Sequence, residues 1–184
     1  REIIDEAYAG DIIGVFDPGI FSIGDTLCAP GKKFRFDPIP TFAPEHFKRV
    51  RSLDTMKRKQ FLKGMEQIAQ EGAIQIFKTP YTGMEEVIVG VVGTLQFDVL
   101  EYRLKNEYNV ELYMEGLPYE YLRWIETDDG EPVKEEDLIL GTDVKLVEDY
   151  KGNQLLLFGS QWAIGWTEER NKNLTFHEFG GTKF

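Results

Sequence analysis

Between residues 39 and 126 the spacing of apolar side chains changes back and forth between two periods. In residues 110–115, VELYME, apolar and polar residues alternate, which is typical of a strand with one buried face. Elsewhere apolar residues recur every three or four positions, which is typical of an amphipathic helix. The elements are predicted at about 47–53 (strand), 54–72 (helix), 73–77 and 85–92 (strands), 94–108 (helix) and 110–115 (strand). This βαββαβ order predicts an α+β fold with a ferredoxin-like core, in which an antiparallel sheet carries both helices on one face.

The two predicted helices have recognisable ends. Asp54 can cap the first helix and Gly72 can end it, while Thr94 can cap the second. A turn at Thr82-Gly83 is predicted to join the two middle strands. The apolar repeat of the second helix predicts that four side chains are buried against the sheet: Leu95, Phe97, Leu100 and Leu104.

The stretch VIVGVVGTLQF, residues 87–97, raises the question of a phosphate-binding loop, since a strand, two glycines and a helix start follow one another. A P-loop requires G-x-x-x-x-G-K-[ST]. The pair Gly31-Lys32 has Thr26 in place of the first glycine and Lys33 in place of the hydroxyl residue. A third glycine of a dinucleotide-binding loop is also missing. Gly90 and Gly93 are therefore interpreted as structural glycines.

Other patterns that would carry chemistry are incomplete. NKNL, residues 171–174, resembles a guanine-reading motif but ends in leucine, and the acidic loop after residue 126 lacks the first ligands of a calcium loop. Cys28, His46 and His177 form no zinc pattern, and Cys28 is interpreted as buried packing rather than as a nucleophile. Trp162 and Trp166 are likewise predicted to be core residues. We expect no catalytic residue, no cofactor site and no metal site in this chain.

Residues 1–37 and 127–184 flank the predicted core. The first segment contains short apolar runs between dense turn signals such as Asp17-Pro18-Gly19, which predicts strands from the end of a β-barrel domain. Prolines after Asp37 mark the predicted boundary with a C-terminal α+β domain over 38–184. In the extension, a hairpin is predicted to turn at residues 151–153 and a helix to begin at Ser160.

The cellular compartment is predicted from what the chain does not contain. There is no apolar run near the ~20 residues of a membrane span, no signal peptide and only one cysteine. These features predict a cytoplasmic protein. The first residue is not Met, from which we expect a fragment of a longer protein.

Charge is unevenly distributed along a chain whose net charge is −11. Residues 111–149 hold thirteen acidic residues against three basic ones, whereas residues 41–63 hold seven basic residues against Glu45 and Asp54. Such separation can orient a protein on a polyanion, although two solvated surfaces of opposite charge would give the same pattern. The candidates for contact with a polyanion are Lys48, Arg49, Arg51, Lys57, Arg58, Lys59 and Lys63.

A set of short motifs spread over the predicted core resembles the C-terminal domain of bacterial peptide chain release factor 3. The residues that carry the resemblance are Pro44-Glu45, Asp54, Glu71-Gly72-Ala73, Gln75, Phe77, Gly93, Leu95-Gln96-Phe97, Val99, Arg103-Leu104 and Glu107-Tyr108. In addition, residues 9–27 resemble the end of the β-barrel domain that translational GTPases share.

The resemblance implies a parent protein with a GTPase domain upstream of Arg1, which would hold GTP and Mg²⁺. It implies that the parent binds the ribosome and promotes dissociation of the decoding release factors after peptide release. It further implies that residues in this chain form a non-catalytic arm between the GTPase domain and the ribosome. The polyanion would then be ribosomal RNA, and the expected contacts are Lys48, Arg49, Arg51, Lys57, Arg58, Lys59 and Lys63.

Other interpretations of the sequence stay open. The chain could belong to another translational GTPase, such as an elongation factor. It could instead be a free-standing ferredoxin-like RNA-binding module, which should carry aromatic residues on the exposed face of its sheet. Residues 110–115 offer only Tyr113 there, among glutamates. A catalytic or small-molecule-binding α/β domain is disfavoured by the incomplete motifs.

Overall fold

The computed structural model describes residues 2–37, 39, 42–80 and 86–178, and the side chain of Glu86 is not included. The strands in this part are β1 His46–Ser52, β2 Gln75–Lys78, β3 Glu86–Val91, β4 Leu112–Gly116, β5 Tyr121–Thr127, β6 Val144–Asp149, β7 Gln154–Phe158 and β8 Leu174–His177. The α-helices are α1 Arg58–Gln70, α2 Leu95–Tyr108 and α3 Gln161–Arg170, and short 3-10 helices cover Thr55–Lys57 and Glu135–Asp137. The predicted turn at Thr82-Gly83 lies outside the described residues.

The eight strands form one sheet in the order β4-β1-β3-β2-β6-β7-β5-β8, and each described pair of neighbours is antiparallel. This confirms the α+β class and the antiparallel sheet. The first four strands keep the order β4-β1-β3-β2, but β2 continues into β6. β5, of which all but the last residue falls inside the range 39–126, pairs with β7 and β8 at the other end of the sheet. The ferredoxin-like description and the domain boundaries stay predictions.

Three clusters of buried side chains hold the sheet and helices together. The first lies between α1, α2 and the sheet, the second on the opposite face of the sheet, and the third around α3. In the first cluster α1 contributes Phe61, Met65 and Ile68, and α2 contributes Phe97, Leu100 and Leu104. Both helices therefore pack on one face of the sheet, as the periodicity predicted.

The start of α2 differs from the prediction at two residues. Leu95 is 74% exposed, because it is the first residue of the helix and lies on the outer side, where Val99 and Tyr102 follow at helical spacing. Thr94 makes no side-chain cap bond. The Oε1 atom of Gln96 instead accepts hydrogen bonds from the backbone N–H groups of Val92 (3.0 Å) and Gly93 (3.1 Å).

The other predicted turn and cap residues take their expected places. Asp54 accepts from the backbone N–H of Met56 at 2.9 Å, and Gly72 follows α1 with φ +76°. A Cβ on Gly90 would lie 2.6 Å from Cγ of Pro44, so this glycine allows close packing and supports its structural interpretation. In the extension, Ser160 accepts from Ala163 at the start of α3.

The described residues before 42 form neither helix nor strand, so the barrel strands predicted there are not formed. A strand is stable only when it pairs, and no segment of the described sheet pairs with them. The predicted turn at Asp17-Pro18-Gly19 is present: the Asp17 carboxylate accepts from the N–H groups of Gly19 and Ile20, both at 2.8 Å. These bonds, led by that from Ile20, lower the Asp17 pKa.

Two predictions of buried packing are wrong. Cys28 is exposed, and its thiol donates to the backbone carbonyl of Lys32, because the segment around it is not part of a sheet. Trp162 is 72% exposed and Trp166 only half-buried, since α3 directs Ala163 and Thr167 inward. Among the described residues, no helix combines the length and apolar content that crossing a membrane requires.

Candidate nucleic-acid interface

The seven basic candidates lie on three different surfaces. Side chains alternate along β1, so Lys48 points to the same face as the buried Val50, toward the helices. Arg49 and Arg51 point to the opposite face. The remaining four, Lys57, Arg58, Lys59 and Lys63, lie at and after the end of the 3-10 helix that leads into α1. The structure therefore does not bring the seven side chains together.

Lys48 is partly buried against the start of α2. Its Nζ atom lies 4.6 Å from the ring centroid of Phe97, a cation–π distance. Both residues line a cleft of about 780 Å³ between the start of β1, the start of α2 and the β4–β5 connection. The cleft also contains Tyr119, whose pKa is raised by burial, and it carries acidic as well as basic groups. Lys48 is therefore a packed residue at the edge of the core.

Lys57 has a structural partner at the end of α2. Its Nζ atom donates a hydrogen bond of 2.7 Å to the backbone carbonyl of Asn109, which ends the helix in a left-handed conformation with φ +55°. An ammonium group at this place satisfies a terminal carbonyl and complements the negative end of the helix dipole. This role makes Lys57 a weaker candidate for contact with RNA.

Lys59 and Lys63 are exposed one turn apart on α1, on the side of the helix away from the buried Phe61 and Met65. Within the described part of the chain, neither ammonium group forms an ion pair. Arg58 is exposed beside them. Lys63 borders a groove whose opposite wall includes Asp17, so Lys59 has the less acidic surroundings of the two. These side chains form the basic helix surface, defined as Arg58, Lys59 and Lys63.

The acidic stretch from 111 to 149 lies mainly away from the basic helix surface. Its loop between β5 and β6 is fixed to β7, because Gln154 exchanges two hydrogen bonds with the backbone of Val133, at 2.7 and 2.8 Å. Val133 packs on the cluster around α3, whereas α1 packs on the cluster at the other end of the sheet. The fold thus separates the two signs of charge in space as well as along the chain.

Arg49 and Arg51 lie on the face of the sheet opposite α1 and α2. Arg49 forms an ion pair with Glu115 on β4, with 3.1 Å between Nη1 and Oε2. The guanidinium of Arg51 lies over the ring of Tyr113, 4.6 Å from its centroid. This stack was not predicted, because it depends on the β1–β4 register that places Arg51 opposite Tyr113.

In the described ranges, no group of three or more His, Cys, Asp or Glu side chains is arranged to hold a metal ion. His177 contacts Glu126, 3.1 Å from Nε2 to Oε2, and it is the last residue of β8, whereas Cys28 lies in the segment before residue 42 that forms neither helix nor strand. His46 lines the cleft at the start of β1.

The sequence analysis also did not predict an exposed apolar row on the outer side of α2. It consists of the exposed side chains of Leu95, Val99 and Tyr102 at helical spacing, and Val92 is exposed in the turn just before the helix. The signal was present in the sequence, since α2 has apolar residues on two sides, but only one side could be assigned to the core. Nothing in the described residues covers the row.

Taken together, these features define an α+β domain with a basic helix surface at one end of an antiparallel sheet and an acidic loop at the other. Residues 36–168 match the family model of the C-terminal domain of class II release factor RF3. The chain belongs to this family of translation-termination factors, which confirms the resemblance found in its motifs.

The chain is similar to proteins named peptide chain release factor 3 from several bacteria. It is 49% identical to the protein of Symbiobacterium thermophilum over 176 residues, which is 96% of this chain and 32% of the relative. It is 43% identical to that of Gloeobacter violaceus over 178 residues, 97% of this chain and 33% of the relative. It is 45% identical to that of Staphylococcus saprophyticus over 170 residues, which is 92% of this chain and 32% of the relative. The chain therefore spans about a third of the length of these relatives.

Proposed function

We propose that this chain is the ribosome-facing C-terminal part of a cytoplasmic translation-termination GTPase that promotes dissociation of decoding release factors after peptide release. The family match supports this proposal, as do the relatives named peptide chain release factor 3. GTP and Mg²⁺ would be bound by a domain outside this chain, and the chain itself would be non-catalytic.

The observation that carries the proposal is the basic helix surface. Lys59 and Lys63 keep exposed ammonium groups on a chain whose net charge is −11. Ribosomal RNA is a polyanion, and lysines that neutralise its phosphates release counterions, which favours binding. The acidic loop between β5 and β6 packs on a different cluster, so α1 can approach RNA without bringing that loop with it.

The packing of α1 supports a mechanical role. A nucleotide-dependent change acts at a distance through a packed element that moves as a unit. α1 buries Phe61, Met65 and Ile68 in the same cluster as α2, and Arg103 on α2 binds Glu71 directly after α1. A force on the basic helix surface would therefore reach the sheet rather than bend one helix.

The proposal is tested with Lys59→Glu/Lys63→Glu in the full-length protein that contains this chain. Each phosphate contact adds about 0.7 to 0.9 to the slope of log affinity against log salt. We expect weaker ribosome binding and a slope reduced by about 1 to 2. The matched control is Lys151→Glu/Lys172→Glu, which makes the same change of charge in two exposed turns away from α1.

Thermal melts of both variants should match the unchanged protein, since all four lysines are exposed. If the Lys59/Lys63 variant keeps both the affinity and the salt slope of the unchanged protein, the basic helix surface is only solvated. If the control variant loses as much affinity, the effect is one of net charge and not of this surface.

A further inference from the structure

The stack of Arg51 on Tyr113 lies near the end of β1, beyond the part of the strand that the second buried cluster covers. Along this face of β1, Phe47 is buried in that cluster, Arg49 is partly exposed and Arg51 is exposed. Tyr113, opposite Arg51 on the edge strand β4, is 47% exposed. Within the described part of the chain its hydroxyl has no hydrogen-bond partner. The stack therefore offers a flat surface to solvent.

Both arginines on this face already have partners. In the register of β1, Arg49 stands opposite Glu115 on β4, and the two side chains form an ion pair. The guanidinium of Arg51 lies on the Tyr113 ring itself. Leu53, directly after β1, is 54% exposed. Because one cation is paired and the other is stacked on a ring, this surface attracts phosphate less than exposed lysines do, but it suits the face of a planar aromatic group.

Cationic groups lie a few residues away. The chain passes from β1 through the 3-10 helix Thr55–Lys57 into the basic helix surface, so Lys59 follows the stack by eight positions. Proteins that bind single-stranded nucleic acid combine aromatic stacking with nearby positive charge in this way, because every base has a π face while the phosphates need cations.

We propose that an unpaired nucleobase of RNA stacks on the Arg51–Tyr113 pair. This inference rests on the proposed function for its biological setting, since the ribosome would supply the RNA. Tyrosine and arginine are also common at protein interfaces. RNA is favoured here because the stack and the start of the basic helix surface both lie at the end of β1, on opposite faces of the sheet, so that one strand passing round this end can meet both, and because base stacking needs no net charge.

The first experiment measures binding of this chain to a fluorescein-labelled single-stranded oligoadenylate of six nucleotides by anisotropy. An abasic oligonucleotide of equal length keeps the phosphates but lacks the bases. Loss of one stacked base on alanine substitution corresponds to about 5- to 150-fold in affinity. We expect this loss for Tyr113→Ala with oligoadenylate and no change with the abasic strand.

Conservative variants separate stacking from other effects. Tyr113→Phe should bind within about 2-fold of the unchanged chain, because it keeps the ring. Arg51→Lys keeps the charge but not the planar guanidinium, so it should weaken binding to oligoadenylate. Tyr102→Ala is the matched control, since Tyr102 is 68% exposed on α2. Equal affinity for both oligonucleotides, an unchanged Tyr113→Ala variant, or a Tyr113→Phe variant as weak as Tyr113→Ala would overturn the inference.

A second experiment identifies the partner on the ribosome. The full-length protein carrying Tyr113→p-benzoylphenylalanine is irradiated with ribosomes, and the adduct is digested. A nucleotide adduct supports the inference, and a peptide adduct overturns it in favour of a protein partner. If the full-length protein fails to bind ribosomes while the chain binds oligoadenylate through Tyr113, the proposed function fails and the stacking site stands. If ribosome binding depends on Lys59 and Lys63 but neither RNA assay depends on Tyr113, only the stacking site fails.

Discussion

Leu95 and Leu100 show how differently two residues of one apolar repeat can be placed. Leu100 is fully buried between α2 and the sheet, whereas Leu95 is exposed at the first turn. Both are leucines in α2, so their helix propensities are the same and only their surroundings differ. At the scale of the residue, burial rather than residue type determines what each side chain contributes to stability.

This contrast gives a direct prediction. Leu100→Ala removes a side chain with 0% exposure, so the free energy of unfolding should fall by about 2–5 kcal/mol through lost burial and cavity formation. Leu95→Ala makes the same chemical change at the exposed position and should stay within about 0.5 kcal/mol. Denaturant melts of both variants measure these values. Equal losses would mean that the inner side of α2 is wrongly assigned.

Arg103 links α2 to the end of α1, and the link matters at the scale of the element. Its guanidinium contacts Glu107 one turn later, 2.8 Å from Nε to Oε1, and also contacts Glu71 directly after α1. The hydrogen bonds to Glu107 and Glu71 raise the Arg103 pKa, and the same bond to Arg103 lowers the Glu107 pKa. The two helices are therefore joined by a charged network outside their common apolar core.

A double-mutant cycle tests this link. Arg103→Gln should destabilise the chain by on the order of 1 kcal/mol, because two carboxylates lose a well-aligned partner at a partly exposed site. The effect should shrink when Glu71→Gln is already present. Lys105→Gln is the control, since its 3.5 Å pair with Glu111 is 64% exposed on both sides and should contribute almost nothing. A cycle without coupling between Arg103 and Glu71 would show that the helices are held by apolar packing alone.

At the scale of the whole molecule, the strands of the described residues form one continuous sheet. The basic helix surface on α1 lies toward one end of this sheet, and the acidic loop between β5 and β6 lies toward the other. Sequence motifs for nucleotide binding are incomplete, with Thr26 and Lys33 at the two decisive P-loop positions. Gly90 inside β3 serves close packing instead, and Gly93 lies in the turn between β3 and α2. Gly90 in particular touches Pro44 and Phe77 too closely to admit a side chain.

This chain is accordingly expected not to bind guanine nucleotides. A fluorescent GTP analogue titrated with the chain should give no saturable signal, because neither phosphates nor base find their usual partners. Under the proposed function, the full-length protein that contains the chain should bind the same analogue and serves as the positive control. Micromolar binding by the chain alone would contradict the interpretation of Gly90 and Gly93 as structural glycines.

The sequence alone determined the α-helices and strands of the core, because periodicity states which side chains of one element share a face. It was sufficient for three of the four predicted buried residues of α2, namely Phe97, Leu100 and Leu104, for the caps at Asp54 and Ser160, and for the motifs of the release factor family. All of these depend on residues near one another along the chain.

Only the tertiary structure decided which elements meet. The joining of β2 to β6, the placement of β5 beside β8, and the pairing of Arg51 with Tyr113 depend on contacts between residues far apart in the sequence. Strand register and sheet order are set by which edges and faces fit together, and a local repeat carries no record of that choice. For the same reason Lys57, a residue type that commonly contacts RNA, instead donates a hydrogen bond to the carbonyl group at the end of α2. Leu95, a residue type that is commonly buried, lies exposed at the surface.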